Sequence, residues 1–152
     1  MERESLPADE TPSGALSRFV ELFDAGRYWE AHEALEQAWR TTRSDFFHGL
    51  IIYASAFVHA RRGNPRGVVR QLAKVTRYLA GYTPSHMGID VAAILRDVEV
   101  TAARVHAAGM PEGPALASLI DWPKLGSPAR RGAATGGERP GQGPPGVTML
   151  QT

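Results

Sequence analysis

The sequence predicts an all-α protein: a single compact bundle of about five helices followed by a disordered C-terminal tail. Apolar residues recur at three-to-four spacing in five separate stretches, and helix-ending signals divide those stretches from one another. No run alternates with a convincing period of two. At 152 residues and without cysteine, the chain is long enough for one core and needs no disulfide staples.

The first helix is expected from about Ser13 to Asp24, entered through Thr11-Pro12 and carrying Leu16, Phe19, Val20 and Phe23 on one face. Gly26 stops it, and the second helix runs from about Tyr28 to Arg40. The third, roughly Asp45 to Arg62, is apolar nearly all round, which marks a central buried helix. Gly63 ends it, and Asn64-Pro65 supplies a cap and first-turn proline for a fourth helix reaching about Ala80. The fifth begins at Asp90, with Ile89 and Ile94 placed as a hydrophobic staple, and Gly109 closes it. Leu116, Leu119, Ile120 and Trp122 make one last packed turn.

The domain organisation follows from composition. Residues 1–10 read as a flexible polar arm and residues 11–125 as the helical domain. From Gly126 to the end, seven Gly and four Pro fall within 27 residues, too little apolar surface to offset the entropy of ordering. Lack of cysteine excludes thiolate zinc sites and thiol nucleophiles. No stretch is long and apolar enough for a membrane span, and no basic-then-apolar leader pattern opens the chain, so a cytoplasmic protein is expected. A net charge of +1 points to no partner by itself.

The second helix carries the chemistry-bearing residues. Ala31, Leu35, Ala38, Tyr28 and Trp39 form one apolar arc, and His32 and Glu36 fall inside its extension, between Trp39 and Trp29. A helix built only for packing would place Leu or Ala there, because a buried carboxylate is costly unless paired, hydrogen-bonded or metal-bound. Residues four apart stand about 6 Å apart along the axis, so both side chains reach one point. This is the spacing that helical metal sites use. Glu33 lies at the border of the face.

A short link, Thr41 to Ser44, makes the third helix an antiparallel neighbour of the second. That register brings His48 near Glu36, Tyr53 near His32, and His59 toward the Tyr28 end. His48 and His59 are about 16 Å apart along their helix, so either could join the cluster but not both. A buried His–Glu or Glu–Arg pair that merely locks two helices together is the alternative reading.

A basic stretch follows. Arg61, Arg62, Arg66, Arg70, Lys74 and Arg77 occur with no acidic residue between Phe46 and Ile89. Positions 66, 70, 74 and 77 line one helix face, which could meet phosphates. A solvated face, or pairing with acids on a neighbour, is the plainer reading. Aromatics for base stacking are missing, so nucleic acid is not the expected partner.

Two blocks carry a family resemblance. Gly26-Arg27-Tyr28-Trp29-Glu30-Ala31-His32-Glu33-Ala34-Leu35-Glu36 with Trp39-Arg40 resembles the signature of the domain of unknown function 309 family. Gly49-Leu50-Ile51, Ala54, Ala56, His59, Gly63-Asn64 and Gly67 resemble its second block. The likeness spans about residues 13–108 and implies a small all-helical protein of a family often labelled as predicted metal-dependent hydrolases. Carried over by position, it picks out His32, Glu33, Glu36, Trp39 and His59. Position 48 is usually glutamine in that pattern, so His48 is a departure, and His59 becomes the preferred outside partner. Gly26-Arg27-Tyr28 with Glu30-Ala31 also resembles part of a tetratricopeptide repeat, but no copy recurs 34 residues downstream.

The resemblance implies a hydrolase in which His32, Glu36 and His59 hold a divalent ion (zinc, iron or manganese) and Glu33 is the general base on a bound water. The rival is a non-catalytic binding module whose groove of Trp29, Trp39 and Tyr53 takes a small molecule or a partner helix. Substrate and oligomeric state are not written in the sequence.

Overall fold

The structure is a computed structural model that describes residues 11–126. The N-terminal arm and, apart from Gly126, the Gly/Pro-rich tail lie outside the described residues. The fold is a bundle of α1 (Pro12–Asp24), α2 (Tyr28–Thr42), α3 (Asp45–Arg61), α4 (Pro65–Leu79), α5 (Val91–Ala107) and the single turn α6 (Pro114–Ala117).

The helix ends follow local chemistry. Thr11 accepts from the Gly14 amide at 3.0 Å, Ser44 from Phe47 at 3.1 Å, Asn64 from Gly67 at 3.1 Å and Asp90 from Ala93 at 2.9 Å. Each satisfies one of the amides that a helix start leaves without an intrahelical partner. The α2–α3 link is only Arg43-Ser44, with Arg43 in the left-handed region at φ 55°.

α3 is the centre. Eleven of its 17 residues are buried, and α2 and α4 flank it. The α3–α4 pair is antiparallel: His59 lies over Gly67, Ser55 accepts from Gln71 at 2.9 Å, and Gly49 lies under Leu79. A Cβ at position 67 would fall 2.4 Å from the His59 ring, and one at 49 would fall 2.5 Å from Leu79. Those two glycines therefore set how closely the helices approach. Phe19, Phe23, Tyr28, Tyr53 and Phe57 form a continuous aromatic cluster, and Trp122 stacks on Tyr28 from the C-terminal segment.

One feature departs from a purely helical reading. Ser85–His86 (β1) and Ile89–Asp90 (β2) pair antiparallel across Met87-Gly88, whose φ values of 48° and 80° make the mirror-image tight turn that suits hairpins. Two residues per strand are too few to show a period in the sequence. The hairpin ends on the Asp90 cap and does not change the fold class.

Candidate functional site

α2 presents His32 and Glu36 half-buried and Glu33 exposed. The His32 ring stacks on Trp29, with centroids 5.0 Å apart and planes 9° apart. The ring's Nδ1 is buried and has no hydrogen-bond partner. The nearest carboxylate oxygen, Glu33 Oε2, is 3.6 Å away, longer than a hydrogen bond. Ligand atoms of His32, Glu33 and Glu36 all lie within 4.8 Å of one another, the one group of three or more such side chains among the described residues. Arg40 reaches Glu36 Oε2 with one nitrogen at 3.2 Å, a single-armed surface pair rather than a fork.

The other expected site residues lie elsewhere. His59 stands at the α3–α4 turn, its Nδ1 3.2 Å from Asn64 Nδ2, and is not part of the convergent group. Burial lowers its pKa, and Arg62 and Arg70 lower it further. His48 is held between Trp39 and Tyr78, with centroids 4.5 Å from each. Burial depresses its pKa, opposed by Asp45 and assisted by Lys74 and Arg43.

Trp29, Trp39 and Tyr53 fall in three places rather than along one groove. Trp29, 53 % exposed, lines a pocket of about 190 Å³ with Tyr28, Glu30, Val58, Arg61 and Arg62. Trp39 is spent on His48 and on the guanidinium of Arg43, 4.7 Å above its ring. Tyr53 is 1 % exposed and turns away from α2 toward α5.

There Tyr53 donates to Asp97 Oδ2 at 2.5 Å, while Thr101 donates to Oδ1 at 3.2 Å. Burial raises the Asp97 pKa, and the two hydrogen bonds pull it partly back. Burial also pushes the Tyr53 phenol well above its ordinary value, followed by the neighbouring Asp97 charge. The pair sits at one wall of a cavity of about 260 Å³, closed by Asp121, Trp122, Lys124 and Leu125 of the C-terminal segment. Sequence reasoning missed this network. Its signal was available: Asp97 and Thr101 are four apart inside the stripe of Ile94, Val98 and Val105, the criterion that singled out His32 and Glu36.

Fold and site together define a small helical-bundle protein with an imidazole–carboxylate group on the surface of its second helix. Residues 16–71, from α1 into α4, match the family model described as Domain of unknown function (DUF309). Comparison with curated proteins and with solved structures gave no match. Among the described residues, no helix is long and apolar enough to cross a membrane.

Proposed function

We propose that the protein binds a divalent metal ion at His32 and Glu36, with Glu33 beside it as general base, and uses it in hydrolysis. The observation that carries this reading is the buried Nδ1 of His32, a polar atom without a hydrogen bond on a residue whose ligand atom lies within 4.8 Å of a Glu33 and a Glu36 oxygen. Leaving a buried ring nitrogen unsatisfied costs free energy that ligation would recover. Imidazole and carboxylate are donors that suit zinc, iron or manganese.

Arg40 is the competitor for Glu36. An exposed i,i+4 pair stabilises by only about 0.3–0.5 kcal/mol, so an ion at Glu36 displaces it at little cost. In this reading His32 and Glu36 hold the ion, and Glu33, the more exposed carboxylate, accepts a proton from water. The ion's contribution is to lower that water's pKa and polarise the scissile carbonyl or phosphoryl oxygen. His59, which lies outside the convergent group, takes no part at the ion in this reading.

Untagged protein dialysed against zinc, manganese or iron(II) is expected to retain one equivalent of metal. At a ligand excess of 100 Kd it should gain about 2.7 kcal/mol of stability, visible as a raised melting temperature. His32→Ala and Glu36→Gln should abolish both effects, and Glu33→Gln should weaken hydrolysis more than retention. Absence of metal and of any melting shift overturns the reading in favour of a binding module. In that module Glu36 would serve only its pair with Arg40.

A further inference from the structure

The chain's 16 acidic residues all lie outside residues 46–89, a stretch that holds six cations. One of the six is spent inside the fold. The Arg61 guanidinium lies 4.9 Å over the Tyr28 ring and 5.3 Å over Trp122, and it donates to the Gly26 carbonyl. The other five are Arg62, Arg66, Arg70, Lys74 and Arg77. Among the described residues none of the five forms an ion pair. Of the two plainer readings, pairing with acids on a neighbouring element is therefore not met among the described residues, which leaves a solvated face as the alternative to a docking surface.

Helical geometry gathers four of the five. Residues 66, 70, 74 and 77 fall within about 80° of arc along about 16 Å of α4. Val68, Leu72, Val75 and Leu79 occupy the opposite face and are at most 1 % exposed, so the row sits on a firmly seated helix. Like charges three and four apart repel one another, a cost that no ion pair among the described residues offsets. Two histidines at the flanks register the field: His59 is held less basic by Arg62 and Arg70, and His48 by Lys74, each in addition to burial.

We propose that the exposed face of α4 is a docking surface for the phosphate backbone of a nucleic-acid duplex. Four of the five unpaired cations are Arg, whose planar fork matches phosphate oxygens. The competing polyanions need features this face lacks. A membrane-surface helix requires a free apolar side to insert, and that side of α4 is buried in the core. A protein interface needs an aromatic or aliphatic anchor at its centre, and the large exposed apolar residues Trp29, Met87 and Val100 are all on other elements. The lack of stacking aromatics, on which nucleic acid is not the partner expected from the sequence, bears on single strands and is no obstacle to a duplex read through its backbone. This inference is independent of the metal site on α2.

The test uses the full-length, untagged protein and fluorescence anisotropy with mixed-sequence 20-base-pair DNA and RNA duplexes between 50 and 300 mM salt. Binding should weaken with salt, with a log–log slope on DNA of about −3.5 to −4.5 for four to five phosphate contacts. Gln at Arg66, Arg70 or Arg77 should each reduce the slope by about 0.9, and the triple variant should lose most of the affinity. Because the three side chains are exposed, melting temperatures should hold; if the triple variant unfolds, any folded single variant still decides through its slope. Arg18→Gln, the same charge change on α1, should leave the slope unaltered. The proposal is overturned by no duplex binding at 50 mM salt, by a slope that the α4 variants do not change, or by binding only to polyglutamate or to anionic vesicles.

Discussion

Asp97 shows how a single buried carboxylate is made tolerable. Burial raises its pKa; the Tyr53 and Thr101 hydroxyls each donate to one of its oxygens and return part of the lost hydration. Tyr53→Phe keeps the ring in the aromatic cluster and removes one donor to a charged acceptor. It should lower unfolding free energy by about 1.5–3 kcal/mol in urea titrations and raise the Asp97 pKa further. A loss below about 0.5 kcal/mol would mean that water takes over the hydroxyl's place. The Asp97–Thr101 half of this network was legible as an i,i+4 pair on α5, but its link to Tyr53 was hidden from sequence reading for a plain reason. Its partners are 44 residues apart, on helices that are not consecutive, and no local pattern pairs them. His32, Glu33 and Glu36 were legible because one helical turn brings them together without help from the rest of the chain. The position of His59 was not, since it depends on how α4 packs over the end of α3.

At the scale of elements, ends were easier to read than contacts. Pro12, Asn64-Pro65, Asp90 and Gly26 act on their own neighbours, so the helix limits fall within about two residues of those expected. Which face meets which neighbour depends on more. Trp39 packs on His48 rather than joining Trp29, because the α2–α3 register puts position 48 beside 39 while Tyr78 of α4 closes the other side. That three-helix junction has a pH signature. With its pKa below the ordinary value of about 6.5, folded His48 binds fewer protons than in the unfolded chain. Its contribution is therefore complete above pH 6.5 and is lost as pH falls through the lowered value. The charged groups around it are Asp45, which opposes the shift, and Lys74 and Arg43, which promote it. Melting temperature should drop between pH 7 and 5. His48→Phe, which keeps a ring between Trp39 and Tyr78, should flatten part of that drop while retaining stability at pH 7.5. An unchanged profile would assign the dependence to His59 instead.

For the molecule as a whole, the matched stretch and the folding unit differ. Residues 16–71 end inside α4, yet the core continues through Leu72, Val75, Leu79, Ile89, Val98 and Leu116. Gly63, at the α3–α4 turn, lies so close to Gly113 that an added Cβ would fall 2.5 Å from its backbone, and the Gly113 amide donates to the Gly63 carbonyl at 3.1 Å. A fragment of residues 11–71 would expose the α5-facing side of α3 and cut α4 in half. Circular dichroism should show it largely unfolded, whereas residues 11–126 should melt cooperatively. A cooperative transition in the shorter fragment would show that α5 and the C-terminal segment are accessories.

The last described residues return to the first helix. Asp24 accepts from the amides of Leu125 at 2.6 Å and Gly126 at 2.7 Å, and Lys124 donates to the Asp24 carbonyl at 2.9 Å. One side chain thus holds a segment that carries Trp122 against Tyr28 and Arg61. Trp29 is already open to solvent and Trp39 belongs to the His48 junction, so Trp122 is the indole whose surroundings depend on that hold. Should the segment peel away before the helices separate, the emission of Trp122 would shift while the helical signal stayed constant. The protein would then carry its own optical gauge for the loosening of its seam.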